Sequence, residues 1–99
     1  MITVIRTSTA FPGMTGEAVA WAKRIAAMVK RVTGREQFVA TAFAGMLSEI
    51  AWIAHYDSIA QYDELRSKVL NDPEYIGALK NARELFVPGS VRDQVWKHE

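Results

Sequence analysis

Glu49-Ile50-Ala51-Trp52-Ile53-Ala54-His55-Tyr56-Asp57-Ser58-Ile59-Ala60-Gln61 decides how the chain must fold, because two periodicities meet in it. Up to Tyr56 the residues alternate, with Ile50, Trp52, Ala54 and Tyr56 on one side and Ala51, Ile53 and His55 on the other. That is the period of a strand. Neither row contains a charge, so such a strand needs a covering layer on both sides. Ser58 then stands three residues before Gln61, the spacing of a capping box. Ile59, Tyr62, Leu65 and Val69 follow at helical spacing.

Upstream, residues 37–43 place Phe38, Ala40 and Ala42 on one face and Val39, Thr41 and Phe43 on the other. This predicts a partner strand, joined through a hairpin connection at Gly45 to Ser48. Before it, Ala18, Trp21, Ala22, Ile25, Met28, Val29 and Val32 share one helical stripe, with Lys23, Arg24, Lys30 and Arg31 opposite. Thr15 is the expected cap, Glu17 suits the positive helix end, and Gly34 is the expected stop. A β-branched run from Ile2 to Thr7 predicts a first strand, broken by Phe11-Pro12-Gly13.

Downstream, Asp72-Pro73-Glu74 restarts a helix, since Asp caps and Pro tolerates the first helical position. Tyr75, Ile76, Leu79, Ala82 and Phe86 belong to that second segment, so two helical pieces kinked at Asn71 to Pro73 are expected. Val87-Pro88-Gly89-Ser90 has the residues of a type II turn. A last strand follows from Val91 to Trp96. The order is strand, helix, strand, strand, helix, strand. This βαββαβ pattern predicts a ferredoxin-like α+β fold, a four-stranded antiparallel sheet with its helices on one face. Residues 1–99 form a single domain. The bare sheet face is expected to be apolar, and a second copy of the chain is the expected cover.

Composition narrows the function classes. The 99 residues are 49% hydrophobic and 23% charged, with a formal net charge of +1. That balance calls for neither nucleic acid nor an anionic membrane. Residues 51–99 hold 6 basic and 8 acidic side chains, which offsets the cationic stripe of the first helix. Cys is absent, which excludes disulfides, thiolate metal sites and cysteine nucleophiles. No Gly-rich phosphate loop and no metal-ligand spacing appears, so neither a cofactor nor a metal is expected. The N-terminus lacks the pattern of a signal peptide, and no stretch approaches the ~20 apolar residues of a membrane span. A cytoplasmic protein is the default expectation.

The chain resembles the dimeric α/β-barrel superfamily, including NIPSNAP-like and antibiotic-biosynthesis-monooxygenase-like proteins. The resemblance rests on the Trp-bearing stretch Glu49 to Ser58, on the mid-helix break Asn71-Asp72-Pro73-Glu74-Tyr75, and on Val87 to Asp93 leading into the closing strand. It implies two four-stranded sheets packed face to face as a homodimer. It also implies a small-ligand cavity, either between sheet and helices or inside the barrel. Activities across the superfamily include cofactor-free oxygenation and haem degradation. The haem-degrading branch implies a His in the second helical region; residues 59–86 contain none.

Four side chains are candidates for chemistry. His55 could act as a general base, because imidazole titrates near neutrality, although a strand-end His bonded to backbone or water is the plainer reading. Trp52 and Tyr56 form an aromatic row that could line a pocket for a flat ligand; a dimer core is the favoured reading. Arg92 shares a face with Gln94 and Trp96 and could bind an anion, or protect an exposed edge strand. His98 is expected to be solvated. The functional expectation is a homodimer binding a small hydrophobic or aromatic molecule, with a monooxygenase-like activity on the superfamily analogy. The alternative is a non-catalytic dimeric accessory protein. An RNA-recognition module shares the element order, but residues 49–56 lack the basic-Gly-aromatic run it needs.

Overall fold

The computed structural model describes residues 1–99. The chain runs β1 (Ile2–Thr9), α1 (Thr15–Thr33), β2 (Gln37–Thr41), β3 (Glu49–Tyr56), α2 (Ile59–Leu70), α3 (Pro73–Leu79), α4 (Ala82–Leu85) and β4 (Arg92–Lys97). The strands form one antiparallel sheet in the order β2-β3-β1-β4. This is the ferredoxin-like α+β architecture, with the helices on one face.

Local chemistry accounts for the element ends. The Ser58 hydroxyl accepts the Gln61 backbone N–H, and the Gln61 side chain reaches back to the Asp57 N–H. Asp72 accepts the Tyr75 N–H at 3.0 Å with Pro73 beside it, so the helical segment breaks where expected. A second break follows before Ala82, which the sequence reading did not anticipate. The cap of α1 differs too. Thr15 is the first helical residue, and Met14 precedes it without a side-chain cap bond. At the other end Gly34 has φ 74° and donates to the Lys30 carbonyl. That left-handed geometry penalises a Cβ, so Gly34→Ala should lower stability by about 1 kcal/mol in chemical denaturation.

The sheet register assigns the faces. On the helix side lie Ile2, Val4, Arg6 and Ser8 of β1, and Ile50, Trp52, Ala54 and Tyr56 of β3. Val39 and Gln37 of β2 pair with Trp52 and Ala54 and share that side. Trp21 meets Trp52 edge-on at 6.2 Å, and both rings meet Phe86, at 5.4 and 5.9 Å. Phe86 is placed there by the bridge from Ala10 and by bonds from Phe11 to Leu85 and from Val87 to Thr9. Trp52 and Tyr56 are therefore interior residues of the single chain. This corrects their expected place in a dimer core: the larger row of β3 turned toward the helices, where α1 offers Trp21, Ile25 and Val29.

On the open side, Phe38, Ile53, Ile5 and Gln94 form one cross-strand row. His55, Thr3 and Trp96 form a second; Ala40, Ala51, Thr7 and Arg92 form a third. Phe38 is 54% exposed and Trp96 56%. The bare face is thus apolar across its middle and mixed at its ends. Strand β2 stops at Thr41, short of the expected Phe43, which is fully exposed in the connecting loop. No helix is long and apolar enough to cross a membrane.

Candidate functional site: a cleft between sheet and helices

Helix α1 packs over β2 and β3, and α2 over β3. The helical layer is therefore offset toward one side of the sheet. Val95 of β4, on the same side, stays 47% exposed. The offset leaves a cleft over β1, in two lobes. One lobe, of about 100 Å³, lies between Val4, Arg6, Ala54 and Tyr56 below and Tyr62, Leu65, Arg66 and Val69 above. The other, of about 160 Å³, lies between Ser8, Trp52 and Phe86 and the helical Trp21, Ile25, Leu79 and Ala82. Arg6, Val29, Gln37, Trp52 and Tyr75 border both lobes and so form the waist. A dry cavity of about 150 Å³ admits a benzene ring, so the second lobe is on the scale of one ring and the first is smaller.

The polar groups of the cleft are few and placed by distant parts of the chain. Arg6 donates to both carboxylate oxygens of Asp93, at 2.7 and 2.8 Å, across the β1–β4 ladder. The hydrogen-bonded guanidinium holds the Asp93 carboxyl below its ordinary value of 3.8, and the carboxylate raises Arg6 in turn. A depressed folded-state value stabilises the fold above 3.8, and that stability is lost as pH falls through the lower folded value. Because both side chains are partly exposed, the effect is modest. Asp93→Asn should therefore remove about 0.5 kcal/mol of the stability that denaturant titrations find lost as the pH falls below about 5.

Gln37 Oε1 is buried without a hydrogen-bond partner. A half-turn of its amide presents the –NH₂ instead, so the group can meet an acceptor or a donor. The two buried indoles are already satisfied: Trp21 Nε1 donates to the Ala78 carbonyl at 3.0 Å and Trp52 Nε1 to that of Ala22 at 3.3 Å. Ser8 is likewise engaged, with Ser90. Burial raises the Tyr75 hydroxyl, and the guanidiniums of Arg6 and Arg66 act against that rise.

Family-scale similarity agrees with this fold. The NIPSNAP family model matches residues 3–96. The chain belongs to the NIPSNAP family. Among solved structures, this NIPSNAP chain is similar to a NIPSNAP family protein from Agrobacterium tumefaciens at 17% identity, with 99% of this chain and 92% of that one covered and a TM-score of 0.85. It is similar to a NIPSNAP domain protein from Burkholderia xenovorans at 13% identity, covering 100% and 95%, with a TM-score of 0.86. SnoaB, a cofactor-independent oxygenase from Streptomyces nogalater, is similar at 15% identity over 99% and 92%, with a TM-score of 0.72. At these identities the likeness concerns the fold. No curated protein matches the sequence.

The cleft unites two of the sequence candidates and separates the other two. Trp52 and Tyr56 both line it. Arg92 and His55 lie on the open face of the sheet, away from it. His55 is exposed rather than interior, because it pairs with Thr3 in the polar row; Thr3 Oγ1 is 2.9 Å from His55 Nδ1 and also meets His98 Nε2. His98 is thereby held beside His55, with ring centroids 5.9 Å apart. The chain neighbours of His55 are engaged elsewhere: Ser58 caps α2 and Asp57 meets Arg35 at 3.1 Å. The cationic stripe of α1 is a solvated face, with Lys30 paired to Glu36 and Arg31 to Asp72 and Glu74. Arg6, Gln37 and Arg66 were missed as site residues. A lone Arg on the apolar side of a β-branched strand was the available signal for Arg6.

Proposed function

We propose that this NIPSNAP chain is a homodimeric α/β-barrel protein that binds a small hydrophobic or aromatic molecule in the cleft between its sheet and helices. The observation behind this reading is an aromatic-walled cleft whose waist holds a buried, unpartnered amide oxygen on Gln37. Unsatisfied buried polar atoms are rare in folded proteins, and a polar substituent on a bound ring would give this one a partner. The row Phe38-Ile53-Ile5 on the open face supports the dimer, since an apolar sheet face is best removed from water by another.

The enzymatic form of the proposal is a cofactor-independent, oxygenase-like reaction on the bound ring, by analogy with the Streptomyces nogalater neighbour. The accessory alternative is favoured by the open face, whose apolar row accounts for assembly without any reaction. A thermal-shift and tryptophan-fluorescence screen of one- and two-ring aromatics tests the ligand reading. At least one compound should raise the melting temperature and change the emission of the buried indoles. A flat response across the panel leaves the accessory reading.

A further inference from the structure

Resting on the cleft as the ligand site, we infer that its ligand is an anion: a flat apolar body bearing a carboxylate or a group of like charge. Arg6 and Arg66 are the charged side chains that line the two lobes, and no carboxylate lines either. Asp93 engages the Nε and one terminal nitrogen of Arg6, which leaves the other terminal nitrogen with donors to spare. Arg66, one helical turn beyond Tyr62 on α2, is absent from the ion pairs of the chain. The lining is therefore cationic: Asp93 is bonded to Arg6 and only acts on Arg66 from a distance. A guanidinium matches the planar, two-oxygen geometry of a carboxylate. The walls of that lobe are largely hydrocarbon while Arg66 itself is exposed, so an ion pair formed there is partly screened and sensitive to salt. A cationic ligand would meet two arginines and no acid.

The test compares an isosteric pair, 2-naphthoate and 2-naphthamide, by calorimetric titration of the full chain. The anion should bind about fivefold more tightly than the amide, the scale of one partly exposed ion pair. Raising the salt concentration should weaken the anion and leave the amide unchanged. Arg66→Gln should erase the difference between the two compounds. Asp93→Asn should act the other way and tighten 2-naphthoate, because it frees the second guanidinium. Equal affinity of the two compounds, or an unchanged preference in Arg66→Gln, overturns the inference while leaving the cleft as the ligand site. Failure of both compounds to bind removes the cleft reading and the anion with it. The salt comparison uses the unmodified chain, so the result does not depend on how well a variant folds.

Discussion

Trp52→Glu is expected to abolish the cooperative unfolding transition of the chain at room temperature. Trp52 is 6% exposed, touches Trp21 and Phe86, and donates to the Ala22 carbonyl. Truncating a buried Trp costs about 3–5 kcal/mol. A carboxylate set among these rings has only its cross-strand neighbour Arg6, already engaged by Asp93, to turn to, so leaving water still costs several kcal/mol or forces the group to stay protonated. A small domain has about 5–15 kcal/mol in total. Thermal melts followed by circular dichroism check the outcome. A variant that melts like the parent would show that Trp52 does not face the helices.

The neighbouring residue should behave in the opposite manner. Ile53→Arg places its charge on the open face, in the row with Phe38 and Ile5. The helical side is untouched, so each subunit should keep its fold and its melting transition. In the proposed homodimer a guanidinium at the two-fold interface would appear twice and meet apolar surface both times. The dissociation constant of the proposed dimer is expected to rise by about two orders of magnitude. Sedimentation velocity over a concentration series reads this directly. An unchanged dimer would place the contact elsewhere, and an unfolded variant would contradict the assigned face.

These adjacent substitutions show where sequence reasoning succeeded and where it stopped. The period of two over residues 50–56 was plain, because both rows are continuous. Which row faces inward was not, since Ile50, Trp52, Ala54 and Tyr56 are no less fit for a dimer core than Ala51 and Ile53. The choice follows from α1, whose Trp21 and Ile25 need large partners, and that match becomes visible only when strand and helix meet. Helix α1 itself was legible because its charges and its apolar stripe are segregated, and the breaks at Gly34 and Asp72 because each is a local backbone requirement. The waist of the cleft was not legible. Arg6 and Asp93 are 87 positions apart and meet through the β1–β4 register, and Gln37 shows its importance only through the partner it lacks. His98 is exposed, as the sequence reading expected, but its meeting with Thr3 and His55 was not legible because those residues are distant in the chain.

The indole N–H resonances of the three tryptophans test the central claim most directly, because the fold has divided them between the two faces of the sheet. Trp21 and Trp52 border the cleft, whereas Trp96 lies on the open face. Titrating 2-naphthoate into isotope-labelled protein should shift the Trp21 and Trp52 signals along one saturable curve and leave Trp96 in place. Movement of Trp96 alone, or of none of the three at saturating ligand, would contradict a ligand site between the sheet and the helices.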